Sequence, residues 1–166
     1  MSTPIRHATA EDAAAISRLV QGSFRAHVAP DWGQEAQESF YAETTPEKLV
    51  ARLAESTYAV VYDDDGMVVG VILLPRPTLV QLCFVASTHL RRGIARALWQ
   101  AARSHLETHL PEVKTVELNA SPYAVAAYTA MGFFPISKQY QRSGWVATRM
   151  ACWLPNQHLE HASNAA

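Results

Sequence analysis

Residues 79–98 read LVQLCFVASTHLRRGIARAL. Leu79, Val80, Leu82, Cys83, Phe84 and Val85 form an apolar run too short for a helix and rich in strand formers, which predicts a strand over 78–85. Ala86, Ser87 and Thr88 end it. Arg91, Arg92, Gly93, Ile94 and Ala95 then lead into a helix predicted over 92–109, with Ile94, Leu98, Ala101, Ala102, His105 and Leu106 on one face and Pro111 at its end. A helix N-terminus leaves about four backbone N–H groups unpaired and carries roughly half a positive charge. Gly93 and Ala95 let another molecule approach those donors, and Arg91, Arg92 and Arg96 add three positive charges. The combination is an anion site whose charge and size suit a diphosphate.

Outward from this stretch the chain alternates short strands and helices. Upstream, Ile5 to Ala8 reads as a strand, residues 10–24 as a helix opened by Thr9 and Asp12, 34–42 as a second helix, and Pro46 starts a third carrying Leu49, Val50 and Leu53. Residues 58–62 and 67–74 read as strands joined by an Asp65-Gly66 hairpin turn. Downstream, 113–119 is a strand, a helix runs from Pro122 to a glycine stop at Gly132, and 133–140 and 145–153 are two further strands. Residues 1–154 are expected to be one domain and 155–166 a disordered tail.

With 166 residues and 17% charged, the composition is that of an ordinary globular domain. A net charge of -1 gives no support to nucleic-acid binding. No apolar run approaches a membrane span, and residues 1–10 lack the apolar core of a secretory signal. Cys83 and Cys152 both fall in predicted strands, so a reduced, cytoplasmic chain with two buried thiols is expected.

The segment HLRRGIARAL after LCFVAST resembles the acyl-CoA pyrophosphate loop of the GNAT superfamily of N-acetyltransferases, whose pattern is Gln/Arg-x-x-Gly-x-Gly/Ala between a strand and a helix. Gly93 and Ala95 match its last two fixed positions, while Leu90 departs from the usual Gln or Arg. A second segment, ELNASPYAVAAYTAMGF over 117–133, resembles the strand-five exit and helix of the same family, with Tyr128, Gly132 and Phe133 at its Tyr-x-x-x-Gly-Phe positions. The resemblance implies an α/β (α+β) fold: a mixed central sheet of about seven strands flanked by about four helices. Strands four and five are parallel and splay apart to admit the pantetheine arm of acetyl-CoA, the co-substrate. It further implies that Cys83, Phe84 and Val85 offer backbone groups to that arm, that Leu90, Arg91, Arg92, Gly93, Ile94, Ala95 and Arg96 hold the pyrophosphate, and that either Asn119 or Ser121 bonds the arm.

Acetyl transfer to an amine requires a neutral amine, and a lysine-like group of pKa near ~10.4 costs about 4–5 kcal/mol to deprotonate at pH 7. It also requires donors for the developing oxyanion, which the backbone at Val85 can supply, and a proton donor for the leaving thiolate. Tyr128 is the candidate acid, since a phenol stays protonated at neutral pH; a half-buried aromatic on an amphipathic helix is the plainer reading. Glu117 is the candidate base, against a surface carboxylate or deprotonation through water. Gln81 shares a strand with Cys83 but cannot take a proton. Cys83 lacks a partner for nucleophilic duty and reads as buried. His89 either contacts phosphate or caps its turn. His105 and His109 stand at i, i+4 without a third ligand, so no metal is expected.

The resemblance also implies that helices one and two, with their connecting loop, wall the acceptor site. Residues 31–47 carry five carboxylates and no Lys or Arg, with Trp32, Phe40 and Tyr41 among them. Trp32, Glu35, Glu38 and Tyr41, with Gln81, are therefore expected to meet a cationic amine of a small molecule or protein; a solvated helix face is the alternative reading. Met150 and Trp153 raise the option of a homodimer strand. The reading is an N-acetyltransferase acting by direct attack; an acyl-CoA sensor without transfer is the alternative.

Overall fold

Asp65 and Gly66 both take positive φ (51° and 87°), the left-handed geometry that reverses a hairpin in two residues. The computed structural model describes residues 3–155, and this turn joins β2 (Tyr58–Asp64) to β3 (Met67–Leu74). β1 (Ile5–His7) pairs with β2, and β3 pairs with β4 (Leu82–Val85), giving a four-stranded antiparallel sheet in the order β1-β2-β3-β4. The nearly continuous apolar run of β3 is explained by burial on both faces. On one side Val61, Val71, Leu73 and Leu82 pack against Ile16, Leu19 and Val20 of α1 (Ala13–His27) and Leu49 of α3 (Pro46–Glu55). On the other, Val60, Val69 and Ile72 meet Ile94, Leu98 and Ala102 of α4 (Ile94–His109).

Gly70 sets how close α4 comes to that sheet. A Cβ there would stand 2.8 Å from Ile94 Cγ2 and 3.0 Å from Leu98 Cδ1. Gly70→Ala is therefore expected to destabilise by about 1–3 kcal/mol in a urea titration, because the start of α4 must be pushed off the sheet.

A second group of strands follows in the order β5-β8-β6: β5 (Thr115–Ala120), β8 (Trp145–Trp153) and β6 (Phe134–Pro135), with β7 (Tyr140–Arg142) paired to the start of β8. α5 (Val125–Ala130) connects β5 to β6. The two sheets are joined by a parallel bridge between Leu79 and Glu117, where Val80 N–H donates to Glu117 C=O and Glu117 N–H to Thr78 C=O, both at 2.9 Å. Beyond that bridge β4 and β5 pair with different neighbours and diverge.

The expected boundaries shift for identifiable reasons. Strand 78–85 contracts to Leu82–Val85 because residues 76–81 form a local turn and the junction to β5. The helix expected from 92 begins at Ile94, since Gly93 takes a left-handed φ of 77°. The expected strand 133–140 is broken into β6 and β7: the Ser137 hydroxyl accepts from Arg149 N–H at 3.0 Å, taking the place of a ladder carbonyl. Among the described residues there are thus eight strands, and the five α-helices, including α2 (Gln34–Glu43) and α3 as separate elements, match those read one by one from the sequence rather than the about four of the family pattern. Met150 lies in the core, whereas Trp153 is exposed. No described helix is long and apolar enough to cross a membrane. Of the expected tail, all but Pro155 lies outside the described residues.

At the start of α1, buried Asp12 accepts two guanidinium bonds from Arg6 (2.9 Å each) and one from Thr9 N–H (2.8 Å). The hydrogen-bonded Arg6 holds the Asp12 carboxyl below the usual carboxylate range. A depressed folded pKa means the stabilisation is complete above the unfolded value of about 3.9 and is lost as pH falls through the folded value. Asp12→Asn should therefore flatten the loss of stability measured below about pH 4.

Candidate functional site

The free edge of β4 is the floor of the site. Ala86 N–H donates to Val69 C=O at 2.8 Å, and Phe84 lies opposite Val71 in the same register. Residues two apart in a strand direct their backbone groups to the same neighbour, so Phe84 faces β3, while Cys83 and Val85 direct theirs into the gap towards β5. Leu73 is paired with Leu82, yet its carbonyl accepts from Gln81 N–H at 2.9 Å. Two residues therefore share one partner, a bulge that turns the strand as it leaves the junction.

The chain then passes through a single turn at 87–89 into the loop before α4. Arg91 and Gly93 both take left-handed φ values, 61° and 77°. A non-glycine residue there costs conformational energy, and alternating left- and right-handed residues turn successive N–H groups to one side. The first α4 bond runs from Ala97 N–H to Gly93 C=O at 2.9 Å, so the N–H groups of residues 94–96 remain without helical partners. Arg91 and Arg92 are exposed and form no ion pair among the described residues. Arg96 differs: its guanidinium donates to Ala130 C=O at 3.0 Å, tying α4 to the end of α5. His89 is likewise engaged, bonding Thr88 Oγ1 at 2.7 Å and Asp64 at 3.1 Å. It fastens the loop to the end of β2.

Gly132, at φ 99°, stops α5, and Phe133 N–H returns to Tyr128 C=O at 3.0 Å. Phe133 enters the core against Trp99 (4.8 Å), and Tyr128 meets it edge-on at 5.6 Å. That anchoring turns Tyr128 towards β4, beside the Cys83 thiol. Burial, reinforced by Cys83, pushes the Tyr128 phenol above its ordinary value. Burial pushes the Cys83 thiol up to about 11. At neutral pH one remains a phenol and the other a thiol, which removes Cys83 as a nucleophile.

Val116, Leu118 and Ala120 of β5 point into the core, so Glu117 and Asn119 face the other way. Glu117 forms an ion pair with Arg149 of β8 at 2.8 Å. Asn119 Oδ1 accepts from the Tyr140 hydroxyl at 3.2 Å. Ser121 begins the turn into α5, its carbonyl accepting from Ala124 N–H. Gln81 is exposed at the bulge.

The expected wall from α2 is only partly formed. Phe40 stacks on Phe24 at 3.8 Å and Tyr41 meets Phe24 edge-on at 5.4 Å, with Arg25 over the Tyr41 ring. Both aromatic rings thus belong to a small core rather than to an open wall. Glu38 accepts from Gln34 at 2.9 Å and Glu35 is exposed. Trp32 does reach across: its indole donates to Val146 C=O at 3.2 Å and its rings lie 4.3 Å from Trp145. Gly33 N–H donates to Gly144 C=O at 3.0 Å, so the start of α2 is joined to the β7–β8 hairpin.

One bridge had no signal in the sequence. His27, at the end of α1, bonds Ser87 at 3.2 Å and stacks on Tyr123 at 4.4 Å, so it touches the segments following both β4 and β5. Elsewhere, His105 stacks between His109 and Tyr58. A separate shallow groove of ≈ 520 Å³ between β1 and α4 is lined by Ile5, His7, Tyr58, Tyr62, Ala97 and Ala101. It shares no residue with the β4–β5 gap and holds none of the polar convergence seen there.

A family model described as the acetyltransferase (GNAT) domain matches residues 28–154. A search of curated protein sequences gave no significant match. Among solved structures, the GCN5-related N-acetyltransferase from Rhodopseudomonas palustris aligns with a TM-score of 0.78 at 23% identity, over 93% of this chain and 98% of its own. The PaiA N-acetyltransferase from Thermoplasma acidophilum, in complex with coenzyme A, aligns with a TM-score of 0.76 at 16% identity, over 92% and 99%. The ribosomal-protein-S18-alanine N-acetyltransferase from Escherichia coli aligns with a TM-score of 0.62 at 19% identity, over 90% and 92%.

Proposed function

This chain belongs to the GNAT acetyltransferase family, and from that premise we propose that it transfers an acetyl group from acetyl-CoA to a primary amine of a small molecule or protein by direct attack. The observation that carries this reading is the continuity of the β4 edge with the N-terminus of α4. Unpaired strand groups at Cys83 and Val85 lead, through left-handed Arg91 and Gly93, to the free N–H groups of the helix. An amide-bearing arm ending in a diphosphate matches that sequence of donors and acceptors. The PaiA neighbour was solved with coenzyme A, which supports the same donor here.

In this reading Leu90, Arg91, Arg92, Gly93, Ile94 and Ala95 hold the pyrophosphate, with Arg96 fixing the helix start against α5. Phe84 lines the arm beside the backbone of Cys83 and Val85, and either Asn119 or Ser121 bonds it from the β5 side. The amine nitrogen attacks the thioester carbonyl carbon. The oxyanion that forms is held by backbone N–H at Val85 or its neighbour. The carbon–sulfur bond then breaks, and the sulfur takes the Tyr128 proton. The amine gives up its own proton to Glu117 or to water, and the phenolate is reprotonated from solvent. Two free thiols accord with a reducing, cytoplasmic setting.

The test is a panel of primary amines with acetyl-CoA, reading free thiol and the mass of the product. Thiol release matched by an N-acetylated amine is expected. Thioester loss with no acetylated amine anywhere in the panel would contradict the proposal.

A further inference from the structure

Glu117 and Arg149 lie on the open side of the second sheet. The apolar cluster beneath α1 and α3 contains residues of β2, β3 and β4 but none of β5 or β8. That face of β5 and β8 therefore stays accessible, and the two side chains are 41% and 52% exposed. Their position is also specific. The backbone of Glu117 forms the junction from which β4 and β5 diverge, so its side chain is rooted at the base of the gap. Asn119, one step further along that face, is directly opposite Arg149 in register and holds the Tyr140 hydroxyl.

The pair is joined by one contact, Nη2 to Oε2 at 2.8 Å. Among the described residues, Nε and Nη1 of Arg149 and Oε1 of Glu117 have no partner. An exposed pair of this kind contributes only about 0–1 kcal/mol to folding, so the fold does not require it. Each member is half-satisfied, leaving unpaired guanidinium donors and a carboxylate oxygen side by side on that open face.

We infer that the acceptor is a small zwitterionic amine, whose carboxylate binds the free edge of Arg149 and whose ammonium binds the free oxygen of Glu117. This rests on the acetyl-transfer reading and names its substrate class. A carboxylate can meet the guanidinium edge through two parallel hydrogen bonds, a geometry that rewards a planar anion over a neutral group. An amine without the anion would leave two positive charges, its own and that of Arg149, sharing the single negative charge of Glu117. Within this arrangement the ammonium passes one proton through Oε1 of Glu117 to water, the freed lone pair forms the carbon–nitrogen bond, and the nitrogen gives up a second proton by the same route as the sulfur departs with the Tyr128 proton. Acetylation then converts the nitrogen to a neutral amide, so the product loses its attraction to Glu117 and leaves more readily than the substrate.

The test uses matched acceptors: free α-amino acids, their carboxamides, and the corresponding amines lacking the carboxyl group. Each is assayed with acetyl-CoA on wild type and Arg149→Gln. For wild type, kcat/KM is expected to favour the free acids by at least about tenfold. In Arg149→Gln that preference should fall to about one, with KM for acetyl-CoA within about twofold of wild type and the thermal midpoint unchanged. A wild type that prefers carboxamides or simple amines, or an acid preference that survives Arg149→Gln, overturns the inference. Should wild type acetylate none of these, the transfer reading fails for them, and calorimetric titration of the same acceptors into the CoA-loaded protein decides the site separately. Free acids binding selectively, with the selectivity lost in Arg149→Gln, supports it; no binding, or equal binding of acids and amides, overturns it.

Discussion

Tyr128→Phe is expected to lower kcat for acetyl transfer by about 10²-fold while KM for acetyl-CoA changes by less than about twofold. The substitution removes one oxygen and leaves the ring, so the edge contact with Phe133 and the closure of α5 at Gly132 persist. What disappears, on the proposed role, is the proton for the departing sulfur. Without it the sulfur must depart as a bare thiolate beside the buried Cys83–Tyr128 contact, where an uncompensated charge is costly. Burial holds the phenol above its ordinary value. A group whose pKa is raised stays protonated further into alkaline pH, so the alkaline limb of the wild-type profile assigned to this residue should lie above about pH 10. The measurement is thiol release at saturating acetyl-CoA, with Phe and wild type side by side. Equal rates would remove Tyr128 from the proton transfer.

Gly93→Val is expected to raise KM for acetyl-CoA by at least about tenfold, with a smaller change in kcat at saturation. At φ 77° a β-branched residue is strained by roughly 1–2 kcal/mol. A Cβ at Gly93 meets no heavy atom within 4 Å, so the protein itself has room for it. The new side chain instead occupies open space beside the free N–H groups of α4, where the proposed diphosphate would have to come within hydrogen-bond distance. Strain and ligand exclusion are separated by Gly66→Val. Gly66 also has positive φ (87°) and open space for a Cβ, but lies at the β2–β3 turn. It should lose comparable stability with unchanged KM. A shift in KM of equal size in both variants would show that strain, not exclusion, is responsible.

The strand, loop and helix that make up the proposed donor half were legible because their signals are local. The apolar run to Val85, the glycine at 93 and the amphipathic stripe of α4 all lie within about one strand, one loop and one helix, and each acts through backbone geometry that neighbouring residues set. Gly132 and Phe133 were legible for the same reason. The acceptor half depends on contacts distant in sequence. Trp32 meets Trp145, His27 meets Ser87 and Tyr123, and Glu117 meets Arg149 only after β5 and β8 have paired in a fixed register. Nothing local to those residues encodes that register. The inward turn of Phe40 and Tyr41 was missed because α2 carries carboxylates and aromatics in close succession, and only the position of Phe24 decides which side is buried. Ser137 breaking the expected strand belongs to the same class, since its hydroxyl bonds Arg149 N–H on a different strand.

On the proposed function, the β4 edge and the start of α4 form one continuous acyl-CoA site opening on an amine-binding gap. Residue-resolved amide hydrogen exchange, with and without saturating acetyl-CoA, addresses it directly. Slowed exchange at Cys83, Val85 and residues 91–96 is predicted, with no change at Ile5, His7 or Tyr58 beside the separate groove. Protection confined to that groove, or no protection along β4 and the start of α4 at saturating ligand, would contradict the account.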